Sequence, residues 1–223
     1  MKLIEVQHVT KSFRGQVLLD QANATFEKGH IYGITGPNGS GKSVLFKLIC
    51  GFIKPDQGEV IIHPNYRAKN ANFPSNFGII IDRPGYLAGH TGFENLKKWA
   101  EIQHKISDQD IQHTMRIVGL DPFARQKMKS YSLGMKQKIA LAQAIMENQE
   151  VLILDEPFNA LDIDSVNDIR SLLLDYKQEG KTIILTSHNQ EDIDLLCDQV
   201  YQIRNKKLEL VAPKVVTKPK VTV

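Results

Sequence analysis

Residues 36–43, Gly-Pro-Asn-Gly-Ser-Gly-Lys-Ser, place three glycines within six positions and follow the last of them with a lysine and a serine. The apolar run HIYGIT delivers the chain to this stretch, and KSVLFKLI leaves it with helical spacing that Gly51 is placed to stop. The order is strand, glycine loop, helix. In that geometry successive backbone N–H groups turn inward and the helix N-terminus adds partial positive charge, so the loop suits phosphate oxygens. The stretch satisfies GxxxxGK[ST] in full, which assigns Lys42 to the β- and γ-phosphates of a nucleotide and the Ser43 hydroxyl to Mg²⁺. Gly36, Asn38, Gly39, Ser40, Gly41 and Val44 complete the expected nucleotide-contacting set.

The rest of the chain repeats the alternation. Strands are expected at 3–9 and 17–26 across a polar turn at Arg14 and Gly15, and again at 60–63 and 77–81. Residues 84–148 then read as helices, at 93–103, 108–118 and 133–145, with Ser107 and Asp121-Pro122 as cap or turn signals. Strand character resumes at 151–155, followed by a helix at 163–176, a strand at 182–187, a helix from near Asn189, and short strands at 199–204 and 207–210. This predicts an α/β fold with a mostly parallel core sheet, N-terminal antiparallel strands and a helical subdomain inserted at about 84–148. A length of 223 residues suits one such domain, with 212–223 expected as a flexible, lysine- and proline-bearing tail.

Charge and cysteine usage exclude some classes. The 28 basic and 25 acidic residues nearly balance, so composition does not indicate a nucleic-acid binder. Cys50 and Cys197 lack the spacing of a zinc or thiol-redox motif. No segment approaches the roughly 20 apolar residues of a membrane span, and the first residues alternate like a strand rather than forming a leader.

A phosphate loop that hydrolyses its nucleotide needs a second metal ligand and a group to activate water. VLILDEP, residues 151–157, supplies an apolar strand ending in paired acids. Asp155 is expected on the Mg²⁺ side, through water, and Glu156 as general base for attack on the γ-phosphate.

With these two motifs in place, the chain resembles the nucleotide-binding subunit of an ATP-binding-cassette (ABC) transporter, over about residues 2–210. YSLGMKQK, residues 131–138, stands where that family carries its signature, retaining Ser132 and Gly134 while Leu133 and Met135 depart from the usual glycine and glutamine. The resemblance implies that Ser132 and the Gly134 backbone touch the γ-phosphate of ATP held by another subunit. Read without it, Ser132 is a helix N-cap, and the two readings are compatible. Asn159 to Asp162, NALD, resembles the D-loop and implies Asp162 at the dimer seam. His188 matches the switch histidine and Phe13 the aromatic that stacks on adenine, although alone either reads as an ordinary strand-end residue.

Asp82 is the clearest departure, since the family has glutamine there. A carboxylate still accepts from water but cannot donate as an amide does, and it adds negative charge beside two other acids. Asp82 is therefore a candidate for both metal coupling and catalysis. The resemblance further implies ATP and Mg²⁺ as cofactors, a homodimer or heterodimer of ATPase subunits, and a separate integral membrane permease at the cytoplasmic face. That permease would be contacted near 83–96, where Tyr86 and Leu87 offer apolar contacts. No nucleic acid is expected. The signature form and Asp82 are similar to the branch containing bacitracin- and lantibiotic-resistance exporters, implying efflux of a drug or peptide. The competing class is a soluble cassette ATPase acting on ribosomes or nucleic acid.

Overall fold

The computed structural model describes residues 1–67, 73–82 and 85–211; the expected tail, Arg83 and Pro84 lie outside the described residues. Strands β1 (Lys2–Phe13) and β2 (Gln16–Glu27) form an antiparallel hairpin, and β1 also pairs with β4 (Gln57–Ile62) in a three-stranded sheet. Both strands of the hairpin outrun their expected bounds. The polar residues Lys11 and Ser12 break the alternation in sequence yet pair with Leu19 and Val17. The two-residue turn, Arg14 and Gly15, takes positive φ at both positions, which matches the twist of the strands it joins.

The second sheet has the order β5-β6-β7-β3-β8-β9, built from Phe77–Ile80, Val151–Leu154, Thr182–Leu185, Ile31–Thr35, Gln199–Arg204 and Lys207–Val211. Every described pairing is parallel except β8 with β9. The strands β6 and β7 are buried at every position, as strands covered on both faces are. Their side chains alternate between two cores. Leu152 and Leu154 join Leu96, Met115 and Ile139 under the helical block, whereas Val151 and Ile153 join Ile4, Phe26 and Phe46 toward the three-stranded sheet.

Helix α1 (Lys42–Ile49) follows β3, and the helical block between β5 and β6 contains α2 (Gly92–Gln103), α3 (Asp108–Ile117) and α4 (Leu133–Ile145). Capping boxes at Thr91 with Glu94 and at Ser107 with Asp110 open α2 and α3, so each helix start is written locally. Asp121 also acts as expected, its carboxylate accepting the Phe123 N–H at 2.9 Å. The block packs on the sheet through α4, and the approach is close enough that a Cβ on Gly78 would lie 1.8 Å from the Ala144 carbonyl oxygen. Helices α5 (Ile163–Gln178) and α6 (Gln190–Leu196) are capped by the side chains of Asp162 and Asn189.

Four strands stop short of their expected ends, β4 at Ile62, β5 at Ile80, β6 at Leu154 and β7 at Leu185. Asp155 and Thr186 are therefore the first residues beyond neighbouring strands, at the edge where β3 also ends in the glycine loop. Ligands in open α/β sheets sit at such carboxyl ends.

Candidate active site

The glycine loop closes on itself in a way only glycine permits at its first position. Gly36 has φ 145°, and a Cβ there would meet Ser40 Oγ at 2.8 Å and the Ile203 carbonyl oxygen at 2.9 Å. Gly41, φ 108°, caps α1 without any side-chain hydrogen bond, leaving the first helical N–H groups free of a capping side chain. Lys42 Nζ donates to the carbonyls of Gly36 at 2.8 Å and Pro37 at 3.3 Å, so the ammonium group lies within the loop rather than in solvent. Gly39 and Ser40 border a cleft of about 420 Å³ with Val17, Leu18, Arg204 and Lys206. Phe13, at the end of β1, is 42% exposed, so it does not cover the core; Lys11 Nζ stands 5.3 Å from its ring centroid.

From this loop a line of polar contacts crosses β3, β7 and β6. Ser43 Oγ donates to Asp155 Oδ2 at 2.5 Å. Thr186, fully buried, donates to Asp155 Oδ1 at 2.7 Å, and its oxygen accepts the Glu156 N–H at 2.8 Å. Glu156 takes φ 53°, an uncommon backbone for this residue type. Its carboxylate accepts the His188 N–H at 3.2 Å, with the imidazole Nε2 also 3.2 Å from Oε1. Burial pushes the Glu156 carboxyl above the ordinary glutamate range; the facing His188 and the more distant Lys42 pull the other way, while Asp155 adds to the rise. Oε1 is buried and makes no hydrogen bond, because the ring approaches within ion-pair reach without donor alignment.

Two residues make contacts here that the sequence pattern does not mark. Thr186 stands two residues before the expected histidine, and Gln137 Nε2, from α4, donates to the carbonyls of Glu156 at 3.2 Å and Pro157 at 3.1 Å. A β-branched hydroxyl at a strand end and an amide inside a helix are both common core-edge residues, so neither stands out in a pattern.

Asp82 shares a cleft of about 610 Å³ with Asp155, Glu156, Tyr86 and Gln137. It pairs with Lys47 Nζ on α1 at 2.6 Å, and its backbone has φ 57°. The added negative charge expected from the sequence is thereby matched by a lysine on the helix that follows the phosphate loop.

The signature residues lie elsewhere. Ser132 Oγ accepts the Met135 N–H at 3.1 Å and caps α4. A Cβ at Gly134 would meet the Ala160 carbonyl oxygen at 2.6 Å, so the segment before Asp162 lies directly on the helix start. Ser132, Gly134 and Asp162 border a cavity of about 370 Å³, whereas Asp155 and Glu156 line the larger cleft. Asp162 accepts the Ser165 N–H at 2.8 Å, which holds its carboxyl below the usual range. Thus Ser43, Asp155, Glu156 and His188 are joined in one line of contacts, with Lys42 beside Ser43 in the loop and Asp82 in the same cleft as the acids, while Ser132, Gly134 and Asp162 border a neighbouring cavity that shares Ala160 with that cleft.

The first group fits a magnesium nucleotide. Ser40 Oγ in the loop is buried without a partner, Gly36 forms a cradle that a Cβ would fill, and an ammonium group stands among the loop carbonyls. Ser43 and Asp155 supply the hard oxygen donors that suit Mg²⁺.

Comparison with known proteins identifies the family and the fold. The ABC transporter family model matches residues 19–159. The chain is 42% identical over 207 residues to an uncharacterized ABC transporter ATP-binding protein, YybJ, of Bacillus subtilis, covering 93% of this chain and 95% of that one. It is 36% identical over 200 residues to the bacitracin transport ATP-binding protein BcrA of Enterococcus faecalis, covering 89% of this chain and 65% of the relative. Among solved structures it superposes on the dimeric structure of MJ0796, a bacterial ABC transporter cassette. There the TM-score is 0.81 at 22% identity, with 93% of this chain and 97% of that chain covered.

Proposed function

The chain belongs to the ABC transporter family as an ATP-binding and ATP-hydrolysing subunit, and on that premise we propose that two copies close around two ATP molecules to drive a separate membrane permease that expels a drug or peptide. The observation that carries the reading is the unbroken line from Ser43 through Asp155 and Thr186 to Glu156 and His188, at the carboxyl ends of neighbouring strands.

In this reading the loop N–H groups and Lys42 hold the phosphates, and Phe13 offers its exposed ring to the adenine. Ser43 and Asp155 hold Mg²⁺, which when bound neutralises charge on the β- and γ-phosphates. Glu156, kept half-buried with Oε1 making no hydrogen bond and facing the His188 ring, accepts the proton of the attacking water, and His188 orients that water and the γ-phosphate. Asp82 is assigned to the water and cation side of the same cleft. Ser132, Gly134 and Asp162 are assigned to the nucleotide of the other copy, a reading supported by their bordering a cavity that Lys42, Ser43, Asp155 and Glu156 do not line.

Among the described residues no helix is long and apolar enough to cross a membrane, and the reading assigns the crossing to a spanning partner. The exposed side chains of Tyr86, Leu87, Trp99 and Ile102 border a groove of about 420 Å³ beside the catalytic cleft, which we assign to that partner. The similarity to a bacitracin transport ATP-binding protein supports the export of a peptide-like compound.

The test is Glu156→Gln. The variant is expected to bind ATP, to lose roughly 10²–10⁴-fold in turnover, and to accumulate as a dimer on size exclusion with ATP. Hydrolysis at the unaltered rate removes Glu156 from its role. Affinity capture from detergent-solubilised membranes then identifies the partner, and recovery of ribosomal or DNA-associated proteins in place of a permease overturns the transporter reading.

A further inference from the structure

We propose that Thr186 is a positioning residue that sets the metal-side carboxylate and the general base relative to one another through a single hydroxyl group. The inference rests on the roles proposed above for Asp155 and Glu156.

The hydrogen-bond sense follows from the donor inventory. The Glu156 backbone N–H can only donate, so Thr186 Oγ1 is its acceptor at 2.8 Å. The one hydroxyl proton of Thr186 is then directed to Asp155 Oδ1 at 2.7 Å, and an ionised carboxylate can only accept it. Ser43 occupies the other carboxylate oxygen, so the plane of Asp155 is held at both ends. The threonine is itself fixed by the sheet, its N–H donating to the Leu154 carbonyl at 3.0 Å, while the Asp155 N–H donates to Ile80 at 2.7 Å. Its side chain has no solvent exposure.

The second half of the device acts on backbone strain. Glu156 has φ 53°, a region that persists in a non-glycine residue only when its surroundings hold it there. Thr186 grips the N–H side of that residue, and Gln137 grips its carbonyl. Without the hydroxyl, a half-buried N–H loses its partner, Asp155 rotates on one contact, and the direction in which Glu156 leaves the turn is no longer set.

Thr186→Val keeps the shape and removes the hydroxyl, whereas Thr186→Ser keeps the hydroxyl and removes a methyl. The readouts are kcat, thermal midpoint, and the affinity of a fluorescent ATP analogue measured with and without Mg²⁺. For Thr186→Val we expect kcat to fall roughly 10–100-fold and the gain in analogue affinity due to Mg²⁺ to shrink about tenfold. Affinity without Mg²⁺ should stay within about twofold of the unaltered protein, and Thr186→Ser should restore both losses. Two results overturn the proposal: a valine variant with unaltered Mg²⁺ dependence and kcat, or a serine variant impaired as severely as valine, which would assign the effect to methyl packing. If the valine variant does not fold, Thr186→Ala is read by the same criteria. The Mg²⁺ dependence of binding does not involve hydrolysis, so this test can fail while the Glu156→Gln test succeeds, and the reverse.

Discussion

Arg170 and Asp192 join α5 to α6 through the most completely buried carboxylate described in the molecule. Asp192 is 1% exposed, and the Arg170 side chain 12%. The guanidinium places Nε at 2.8 Å and one terminal nitrogen at 2.5 Å from the same oxygen, Oδ1, while Oδ2 accepts the Ser187 hydroxyl. Arg170→Met keeps the aliphatic stem and removes every charge-assisted contact, leaving Asp192 buried with Ser187 as its remaining side-chain partner. Breaking a buried pair from one side costs about 3–5 kcal/mol, and the retained Ser187 bond argues for the lower end, about 3 kcal/mol. The second arm of Arg170, to the 62% exposed Glu191 side chain, adds little. For a domain of this size about 3 kcal/mol corresponds to a midpoint lowered by about 6–12 °C. Urea unfolding followed by circular dichroism measures it directly. The double variant Arg170→Met with Asp192→Leu removes the stranded charge and should recover part of the loss. A single variant within about 1 kcal/mol of the unaltered protein would refute the reasoning, and a double variant no better than the single would show that guanidinium packing, not charge, carried the stability.

Gly78→Ala places a Cβ on the Ala144 backbone, which cannot turn aside as a side chain does, so β5 or α4 must shift; a loss of about 1–3 kcal/mol is expected in the same unfolding assay. The Glu156 carboxyl lies above the ordinary value of 4.5, so the acidic limb of kcat/KM should fall as pH drops through that raised value, above pH 4.5. The same raised value favours the folded nucleotide-free protein below the unfolded pKa and is lost as pH rises through the folded one. Glu156→Gln should therefore gain stability relative to the unaltered protein across that window, as thermal midpoints taken at a series of pH values will report. Burial pushes both the Cys50 and Cys197 thiols up to about 12, so neither should react with iodoacetamide at pH 8 in the native state, and both should react in urea; native labelling read by mass spectrometry would contradict this.

What could be read directly from the chain was whatever covalent spacing controls. The loop from Gly36 to Ser43, the acids after an apolar strand, the capping residues Ser107 and Ser132, and the alternation of strands with helices all depend on neighbours a few positions apart. Even there, polarity misled at Lys11 and Ser12, which continue β1 because their partners on β2 supply the ladder. Strand ends were overrun at Asp155 and Thr186, whose side chains face the site rather than a core.

The tertiary structure alone decided the pairing of Asp82 with Lys47, the Gln137 support under Glu156, the hydroxyl of Thr186 between two acids, and the closeness of Gly78 to α4. Ser43 and Asp155 are 112 residues apart in the chain and 2.5 Å apart in space. Side-chain pattern reports which face of a strand is buried, but not which strands become neighbours. The order β6-β7-β3 follows from how crossover helices pack on both faces, a sum over many non-local contacts. Residue types and their chemistry were thus legible in the sequence, and their mutual orientation was set by the sheet.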